Sequence, residues 1–351
     1  MSCDDVRIMY ISWDLDRLIE SGRYYFWKNM VDNHNTVLCE FLNPNMKLFY
    51  NDNWFNRHLG TVIFRFAARE TLRYNDIKNI RSFYRRYKPD IVIFEERLMD
   101  LMRFKGCLGI DVPKILILND VHNLQKHFVD IDRFIEENDI RLCLSKMKYC
   151  MELYKDNLNC EVKWFPWSIE TSIFKNYMEK KDYDVFSSGI VSPVYTLRYV
   201  LKHLDKDNRL ENLNMEYQSY SNPGFISGVD LNNVREGYAR KLSKSKIFLF
   251  GNSIYLFPIQ KYFEGMASDC MVMAPEPHDS KELHFVPGDN FVSISQNASK
   301  EEVIDNIRFY IDNEKLRRKI VARANETINK YHTTDIRIKE FRSYLPCVVE
   351  G

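Results

Sequence analysis

The residues best suited to chemistry lie in the segment 261–282. Lys261 and Glu264 stand one turn apart at the start of a predicted helix, and Glu282 follows the next predicted strand and turn. A carboxylate can accept two hydroxyl hydrogen bonds at once, which suits the diol of a sugar or a ribose. The lysine either neutralises a phosphate or pairs with Glu264 on the helix surface. The segment therefore predicts a site for a ligand that carries hydroxyl groups and phosphates.

A second candidate is the loop that follows the predicted strand 183–189. Gly189 has no Cβ atom, so backbone N–H groups of this loop can approach a phosphate closely. Ser192 lies in the same loop, and Arg198 lies on the predicted helix 195–204, where it faces either the phosphates or the solvent. The alternative for this segment is an ordinary turn between a strand and a helix.

Polar residues also follow two predicted strands in the first half of the chain. Asp120 and His122 come after the apolar run 114–119, and Asp14 comes after the first strand. Because ligands of parallel α/β folds bind at the carboxyl ends of strands, these side chains are candidates for a general base. Asp120 equally suits a helix N-cap, and His122 equally suits a core or surface position.

The elements that position these residues follow from the apolar pattern. Short apolar runs alternate with longer amphipathic stretches, which is typical of parallel α/β folds. The predicted strands are 6–12, 36–40, 90–95, 114–119, 141–145 and 161–166 in a first series, and 183–189, 214–220, 246–250, 270–274 and 291–294 in a second. A polar stretch at residues 167–182 separates the two series and predicts a domain boundary.

Length and composition agree with two domains. The chain has 351 residues, of which 45% are hydrophobic, whereas a single core rarely grows beyond roughly 250–300 residues. The 50 Lys and Arg residues balance 49 Asp and Glu residues, giving a formal net charge of +1. This balance does not favour nucleic acid as a partner. The run 81–88 mixes cations with aromatic residues and suits a polyanion, but a solvated helix face explains it better.

The eight cysteines are scattered without paired spacing, which predicts free thiols in a reducing compartment. The N-terminus lacks the charged and apolar segments of a signal peptide. Apolar runs are too short for a transmembrane helix. The sequence therefore predicts a cytoplasmic protein with no integral membrane segment.

Three motifs resemble those of GT-B glycosyltransferases. The segment from Glu264 to Glu282 is similar to E-A-M-A-C-G-x-P-V-I-A…P-E of their nucleotide-binding domain, with the two acids eighteen positions apart in both. Residues 184–198 resemble D-V-x-F-x-G-S-V-S-x-x-Y-P-L-R, and residues 255–264 resemble y-x-x-P-x-K-x-F-E, both of the CgeB-type subgroup. The chain is thus identified as a member of the GT-B glycosyltransferases, similar to the CgeB-type and group 1 enzymes.

The resemblance implies an α/β fold of two Rossmann-like domains that face a cleft, with a C-terminal helix that crosses back. The implied ranges are 1–170 for the acceptor domain, 171–182 for a linker, 183–335 for the nucleotide-sugar-binding domain and 336–351 for the crossover segment.

The resemblance also implies how the donor is held. A UDP- or GDP-type nucleotide sugar is the substrate, with no cofactor and no metal. His278, Asp279 and His284 form no coherent set of metal ligands. The implied donor-binding residues are Glu264, which would hold the ribose, Lys261, Gly189, Ser192, Arg198, Tyr255 and Glu282.

One departure from the family concerns stereochemistry. Many retaining GT-B enzymes carry a glutamate eight residues before the one that binds ribose, and this chain has Leu256 there. Retention or inversion therefore does not carry over from the resemblance.

The sequence thus predicts a metal-independent glycosyltransferase that moves a sugar to the hydroxyl group of a glycan, a lipid or a modified nucleobase. Asp120, His122 and Asp14 are its catalytic candidates. One alternative is a GT-B-shaped binding or assembly subunit without activity, because Leu256 replaces an acid. The other is a nucleotide-sugar epimerase on the same fold.

Overall fold

The computed structural model describes residues 5–13, 21–41, 84–95, 110–118, 124–156, 158–204, 207–219 and 233–350. The chain divides into two units. Unit 1 comprises Met1–Leu18, Trp27–Pro166 and Ile338–Gly351, and unit 2 comprises Ile19–Phe26 and Trp167–Arg337. The helices are α1 (Ser21–Asn33), α2 (Leu124–Glu137), α3 (Lys148–Tyr154), α4 (Thr196–Leu201), α5 (Arg235–Ser243), α6 (Lys261–Ala267), α7 (Lys300–Asp312), α8 (Glu314–Tyr331) and α9 (Thr334–Glu350).

Unit 1 is built on a parallel sheet of six strands in the order β2-β1-β3-β4-β5-β6. The strands are β1 (Ile8–Trp13), β2 (Thr36–Phe41), β3 (Ile91–Glu95), β4 (Lys114–Leu118), β5 (Ile140–Ser145) and β6 (Glu161–Trp164). β3 and β4 are buried over their whole length. A parallel strand covered on both faces reads as a continuous apolar run, which is why the sequence predicts these strands correctly.

Aromatic side chains fill part of the core of unit 1. The Tyr10 ring on β1 stacks on Trp27 of α1 with 3.6 Å between ring centroids. Trp27 and Phe165 each contact Phe341 of α9 at a centroid distance of 5.8 Å. From Ile338 onward the C-terminal helix is therefore part of unit 1.

Unit 2 is built on a second parallel sheet, with five strands in the order β11-β10-β9-β7-β8. The strands are β7 (Tyr183–Ser188), β8 (Met215–Gln218), β9 (Ser245–Leu249), β10 (Met271–Ala274) and β11 (Val292–Ser293). Apolar side chains of β7, β9 and β10 pack against α4, α7 and α8 to form one core cluster. The predicted α/β architecture is thus present in both units. None of the described helices is long and apolar enough to cross a membrane.

Helix α6 lies close to the sheet of unit 2 because it carries a glycine where it meets the strands. A Cβ atom on Gly265 would lie 2.6 Å from Val272 Cγ2 on β10 and 2.8 Å from Phe248 Cδ1 on β9. Any larger residue at position 265 would therefore push the helix away from the strands. The start of α6 is thereby fixed beside the ends of β7 and β9.

Two stretches of chain pack with unit 2 although their predicted ranges place them elsewhere. Residues 21–26 fall within the predicted first domain, but a Cβ atom on Gly22 would lie 2.6 Å from the Ser168 carbonyl oxygen. The predicted linker 171–182 also belongs to unit 2. The contact of Gly22 with Ser168 joins segments far apart in sequence, so local polarity does not predict it.

Candidate functional site

The carboxyl ends of β7, β9 and β10 lie at one edge of the unit 2 sheet, because these neighbouring strands are parallel. This is the edge at which open α/β sheets bind ligands. The segments that leave these strands bring together Ser188, Gly189, Arg198, Gly251 and Lys261. We call this set the strand-end site.

Lys261, the first residue of α6, reaches back to the end of β7. Its half-buried ammonium Nζ donates to the Ser188 carbonyl oxygen at 3.1 Å and to Ser188 Oγ at 2.5 Å. Ser188 Oγ also lies 3.0 Å from the buried hydroxyl of Tyr238 on α5. The lysine stands 5.6 Å from the Phe248 ring centroid and 5.8 Å from that of Tyr238, so its surroundings are largely apolar.

These surroundings change the acidity of the lysine. Burial, the largest cause, and the nearby positive charge of Arg198 together lower the pKa of Lys261 to about 7, while Glu264 opposes the shift. Near neutral pH the neutral amine and the ammonium are therefore both populated. A bound anion would favour the ammonium and raise this pKa again.

Arg198 lies in the interior of the strand-end site. It is only 5% exposed, and it donates from Nε to the Gly251 carbonyl oxygen at 2.8 Å and from Nη1 to the Ile190 carbonyl oxygen at 3.0 Å. Its Cζ stands 3.6 Å from the ring centroid of Tyr195. The solvent-facing alternative for Arg198 is therefore wrong. Within the part of the chain that the structure describes, no carboxylate forms an ion pair with this guanidinium.

Gly189 makes room for the arginine. Its φ is +139°, and a Cβ atom there would lie 2.8 Å from Arg198 Cζ. Its own N–H donates to the Gln218 carbonyl oxygen at 3.0 Å. Gly189 thus serves the site by its lack of a side chain rather than by its own N–H. Gly251, which follows β9, also makes room for Arg198, since a Cβ atom there would lie 2.9 Å from Arg198 Cγ.

Glu264 lies in the first turn of α6 and is only 6% exposed. Its carboxylate is close enough to Lys261 to raise the lysine pKa. Phe263 beside it packs against Phe285 and His332, with centroid distances of 5.2 and 5.1 Å. The backbone that carries the glutamate is therefore held by a packed aromatic cluster.

Asn252 fixes the loop between β9 and α6, and the sequence analysis missed it. Its Nδ2 donates to the Phe257 carbonyl oxygen at 2.7 Å and to the Tyr262 hydroxyl at 3.1 Å, and that hydroxyl donates to the Pro275 carbonyl oxygen. Gln296 Nε2 donates to the Asn252 carbonyl oxygen at 2.5 Å. The signal was the polar run Gly-Asn-Ser directly after a buried strand.

Leu256 occupies a turn in this loop with a φ of +48°. Its N–H donates to the Ser253 carbonyl oxygen at 3.0 Å, and its carbonyl accepts the His278 N–H at 2.9 Å. The neighbouring Tyr255 ring is half-buried and stacks on Phe257 with 5.6 Å between centroids. A role for Tyr255 in donor binding stays a prediction.

Ser192 and Glu282 lie in segments that follow two strands of the unit 2 sheet, β7 and β10. The Ser192 carbonyl accepts the Tyr195 N–H at 2.9 Å in the loop after β7. Glu282 is half-buried in the segment between β10 and β11. Their contacts with a ligand stay predictions.

The catalytic candidates of the first half, Asp14, Asp120 and His122, lie outside the described residues. The strands that precede them, β1 and β4, are described and parallel, with β3 between them. Across the described ranges, no three or more His, Cys, Asp or Glu side chains are grouped so that they could hold a metal ion.

Comparison with known proteins agrees with this geometry. Residues 227–343 match a family described as glycosyl transferase-like. No curated protein matches the chain. Among solved structures, a glycosyltransferase from Rickettsia africae has a TM-score of 0.62 at 11% identity, covering 99% of this chain and 100% of that one.

Two further structures extend the likeness. Anabaena HepE in complex with UDP-glucose has a TM-score of 0.68 at 9% identity, covering 97% of this chain and 100% of HepE. Sucrose-phosphate synthase from Thermosynechococcus elongatus has a TM-score of 0.66 at 8% identity, covering 98% of this chain and 100% of that enzyme. At these identities the likeness is one of fold.

The GT-B fold predicted from the sequence is thus confirmed. Over residues 227–343 the chain is also similar to the glycosyl transferase-like family. The closer relation to the CgeB-type subgroup stays a prediction.

Proposed function

We propose that the chain transfers a sugar from a UDP- or GDP-type donor to an acceptor hydroxyl group and needs no metal ion. The observation that carries this proposal is the pair of cations at the strand-end site. Arg198 is buried among neutral carbonyl groups, and Lys261 is held beside it with a lowered pKa. Like charges held out of water favour an anion between them, and the diphosphate of a nucleotide sugar is such an anion.

The chemistry of the transfer requires this charge. When the bond between the anomeric carbon and the diphosphate breaks, negative charge accumulates on the leaving group. Lys261 and Arg198 stabilise that charge in place of a divalent cation. The diphosphate raises the pKa of Lys261, so the lysine is protonated when the charge develops. Ser188 holds the lysine in position through its carbonyl and hydroxyl oxygens.

Glu264 is assigned the ribose. A carboxylate can accept hydrogen bonds from the 2′ and 3′ hydroxyl groups together, and this one is buried and close to Lys261. HepE, which has a similar fold, is solved with UDP-glucose, and this makes UDP-sugars the first donors to test.

The acceptor half of the reaction is proposed from the sequence alone. Asp120, His122 or Asp14 would take the proton of the acceptor hydroxyl as it attacks the anomeric carbon. The acceptor is a glycan, a lipid or a modified nucleobase.

A panel of nucleotide sugars distinguishes this function from its alternatives. Release of free UDP or GDP, slow without acceptor and faster with one, supports a transferase. Interconversion of the sugar without diphosphate release supports an epimerase. Nucleotide binding with neither reaction supports a silent GT-B subunit. In the same panel, diphosphate release by the variant Lys261→Met is compared with release by Lys319→Met. Lys319 is the matched control, because it is an exposed lysine of the same unit.

A further inference from the structure

Two cysteines of unit 1 have their sulfur atoms in contact. The sulfur atoms of Cys143 and Cys160 lie 3.3 Å apart and share a hydrogen bond. Cys143 is fully buried on β5, and Cys160 is half-buried just before β6, the edge strand of the sheet. The parallel pairing of β5 with β6 holds the two thiols side by side without a covalent bond.

The two thiols differ in reactivity. The hydrogen bond with Cys143 lowers the pKa of Cys160, against the effects of burial and of the carboxylates of Asp132 and Glu161. The same hydrogen bond, together with burial, raises the pKa of Cys143. Since the thiolate is the reactive form, Cys160 is the thiol that an oxidant meets first. It is also the more accessible of the two.

We propose that Cys143 and Cys160 form an oxidisable dithiol that closes to an intramolecular disulfide when hydrogen peroxide reaches Cys160. The Cys160 thiolate attacks a peroxide oxygen, which yields a sulfenic acid and releases hydroxide. The Cys143 sulfur then attacks the Cys160 sulfur, and the sulfenic oxygen leaves as water. Two thiols have lost two protons and two electrons, and one peroxide has become two waters. A small-molecule thiol reduces the disulfide by exchange.

Other cysteines of the chain provide internal comparisons. Cys270 is buried, and burial raises its pKa to about 12, so it should resist oxidation. Cys347 is exposed, and it should stop at sulfenic acid or exchange with thiols in solution. Only a thiol with a second sulfur in contact can close rapidly within the chain.

The test is peptide mass spectrometry on the full chain. The reduced protein is treated with hydrogen peroxide, unfolded in an alkylating agent and digested. We expect residues 143 and 160 to lose alkylation together, a linked peptide that contains both, and loss of that link after thiol reduction. A treated wild type in which both residues remain alkylatable would overturn the proposal without any variant.

Variants assign the two roles. In a Cys347→Ser background, Cys143→Ser should leave Cys160 as a sulfenic acid that a dimedone probe labels, whereas Cys160→Ser should abolish labelling at both positions. Equal labelling of Cys160 with and without Cys143 would show that Cys143 does not resolve the sulfenic acid, and would contradict the proposal. Circular dichroism of each variant confirms that it is folded.

Discussion

Two lysines, one in each unit, make similar contacts in different electrostatic surroundings. Lys114 begins β4, is 3% exposed, and donates from Nζ to the carbonyl oxygens of Ile110 at 3.1 Å and Val112 at 2.9 Å. Lys261 begins α6 and donates to two oxygens of Ser188. Burial is the largest cause of a lowered pKa for both lysines.

The strongest charge effects on the two lysines have opposite signs. Asp139 and Asp111 raise the pKa of Lys114 and partly offset its burial. Arg198 instead lowers the pKa of Lys261 further. Lys114 is at the amino end of its strand, whereas Lys261 is at the carboxyl edge of its sheet, where α/β folds bind ligands. Burial alone therefore does not mark a ligand site, and Lys261 differs from Lys114 in that the leading charge beside it is a cation.

The largest expected difference between the two lysines is in turnover. Lys261→Met should lower turnover of a nucleotide sugar by about 10²–10³-fold, the usual cost of removing one group that stabilises charge in the transition state. Lys114→Met should leave turnover per folded molecule unchanged. Initial rates of diphosphate release at saturating donor measure both. Equal losses in the two variants would contradict a special role for Lys261.

The next effect concerns the acid beside the cations. Glu264→Ala should weaken UDP or GDP binding by about 1.5–3 kcal/mol, the range for hydrogen bonds to a charged group. Glu314→Ala is the matched control, because Glu314 is an exposed acid in the first turn of α8. Calorimetry compares the two variants. Unchanged nucleotide affinity in a folded Glu264→Ala protein would remove the ribose assignment.

The stability of the ligand-free protein should depend on pH through the lowered pKa of Lys261. The pKa of Lys261 is about 7 in the folded chain, below the ordinary value of about 10.4. Between these pH values the unfolded chain binds more protons, so the contribution of Lys261 to the free energy of unfolding rises with pH. Urea unfolding should show the wild type gaining about 1–2 kcal/mol over Lys261→Met from pH 7 to 9.

Lys114 also has a lowered pKa, so the pH dependence seen with Lys114→Met should have the same sign in the same assay. Its loss leaves the carbonyl groups of Ile110 and Val112 without their donor, which costs about 1–3 kcal/mol. A difference between wild type and Lys261→Met that does not change with pH would show that the lysine pKa is not depressed in the folded chain.

The smallest expected effect is that of a chelator. With Arg198 and Lys261 in place of a divalent cation, EDTA should leave the transferase rate unchanged. Loss of activity in EDTA and its rescue by manganese would refute the metal-independent mechanism.

The sequence predicts the elements well and the contacts between them poorly. Apolar runs locate β4 and β7 to within a residue or two, because buried parallel strands are continuous in the sequence. The loop at Gly189 is also predicted, since a glycine after a strand has a local physical cause. The reason for that glycine is not predicted, because Arg198 fills the space only once the two segments pack together.

The contacts that the sequence does not predict depend on the order of the strands in the sheet. β9 lies beside β7 in the sheet although β8 intervenes in sequence, and this order brings Gly251 to Arg198. The contact between Lys261 and Ser188 joins positions 73 residues apart. No local pattern specifies such neighbours. The sequence therefore predicts that Lys261 binds the donor, but it does not predict that Ser188 and Tyr238 are its neighbours.

Proton uptake on nucleotide binding is the most direct measure of the diphosphate site. At pH 8 UDP or GDP is titrated calorimetrically into the wild type, Lys261→Met and Lys114→Met, each in two buffers of different ionisation enthalpy. We expect the wild type and Lys114→Met to take up nearly one proton per nucleotide, because the diphosphate raises the pKa of Lys261, and Lys261→Met to bind more weakly with no uptake. Tight binding with no proton uptake in the wild type, or the same uptake in Lys261→Met, would contradict the assignment of Lys261 to the diphosphate.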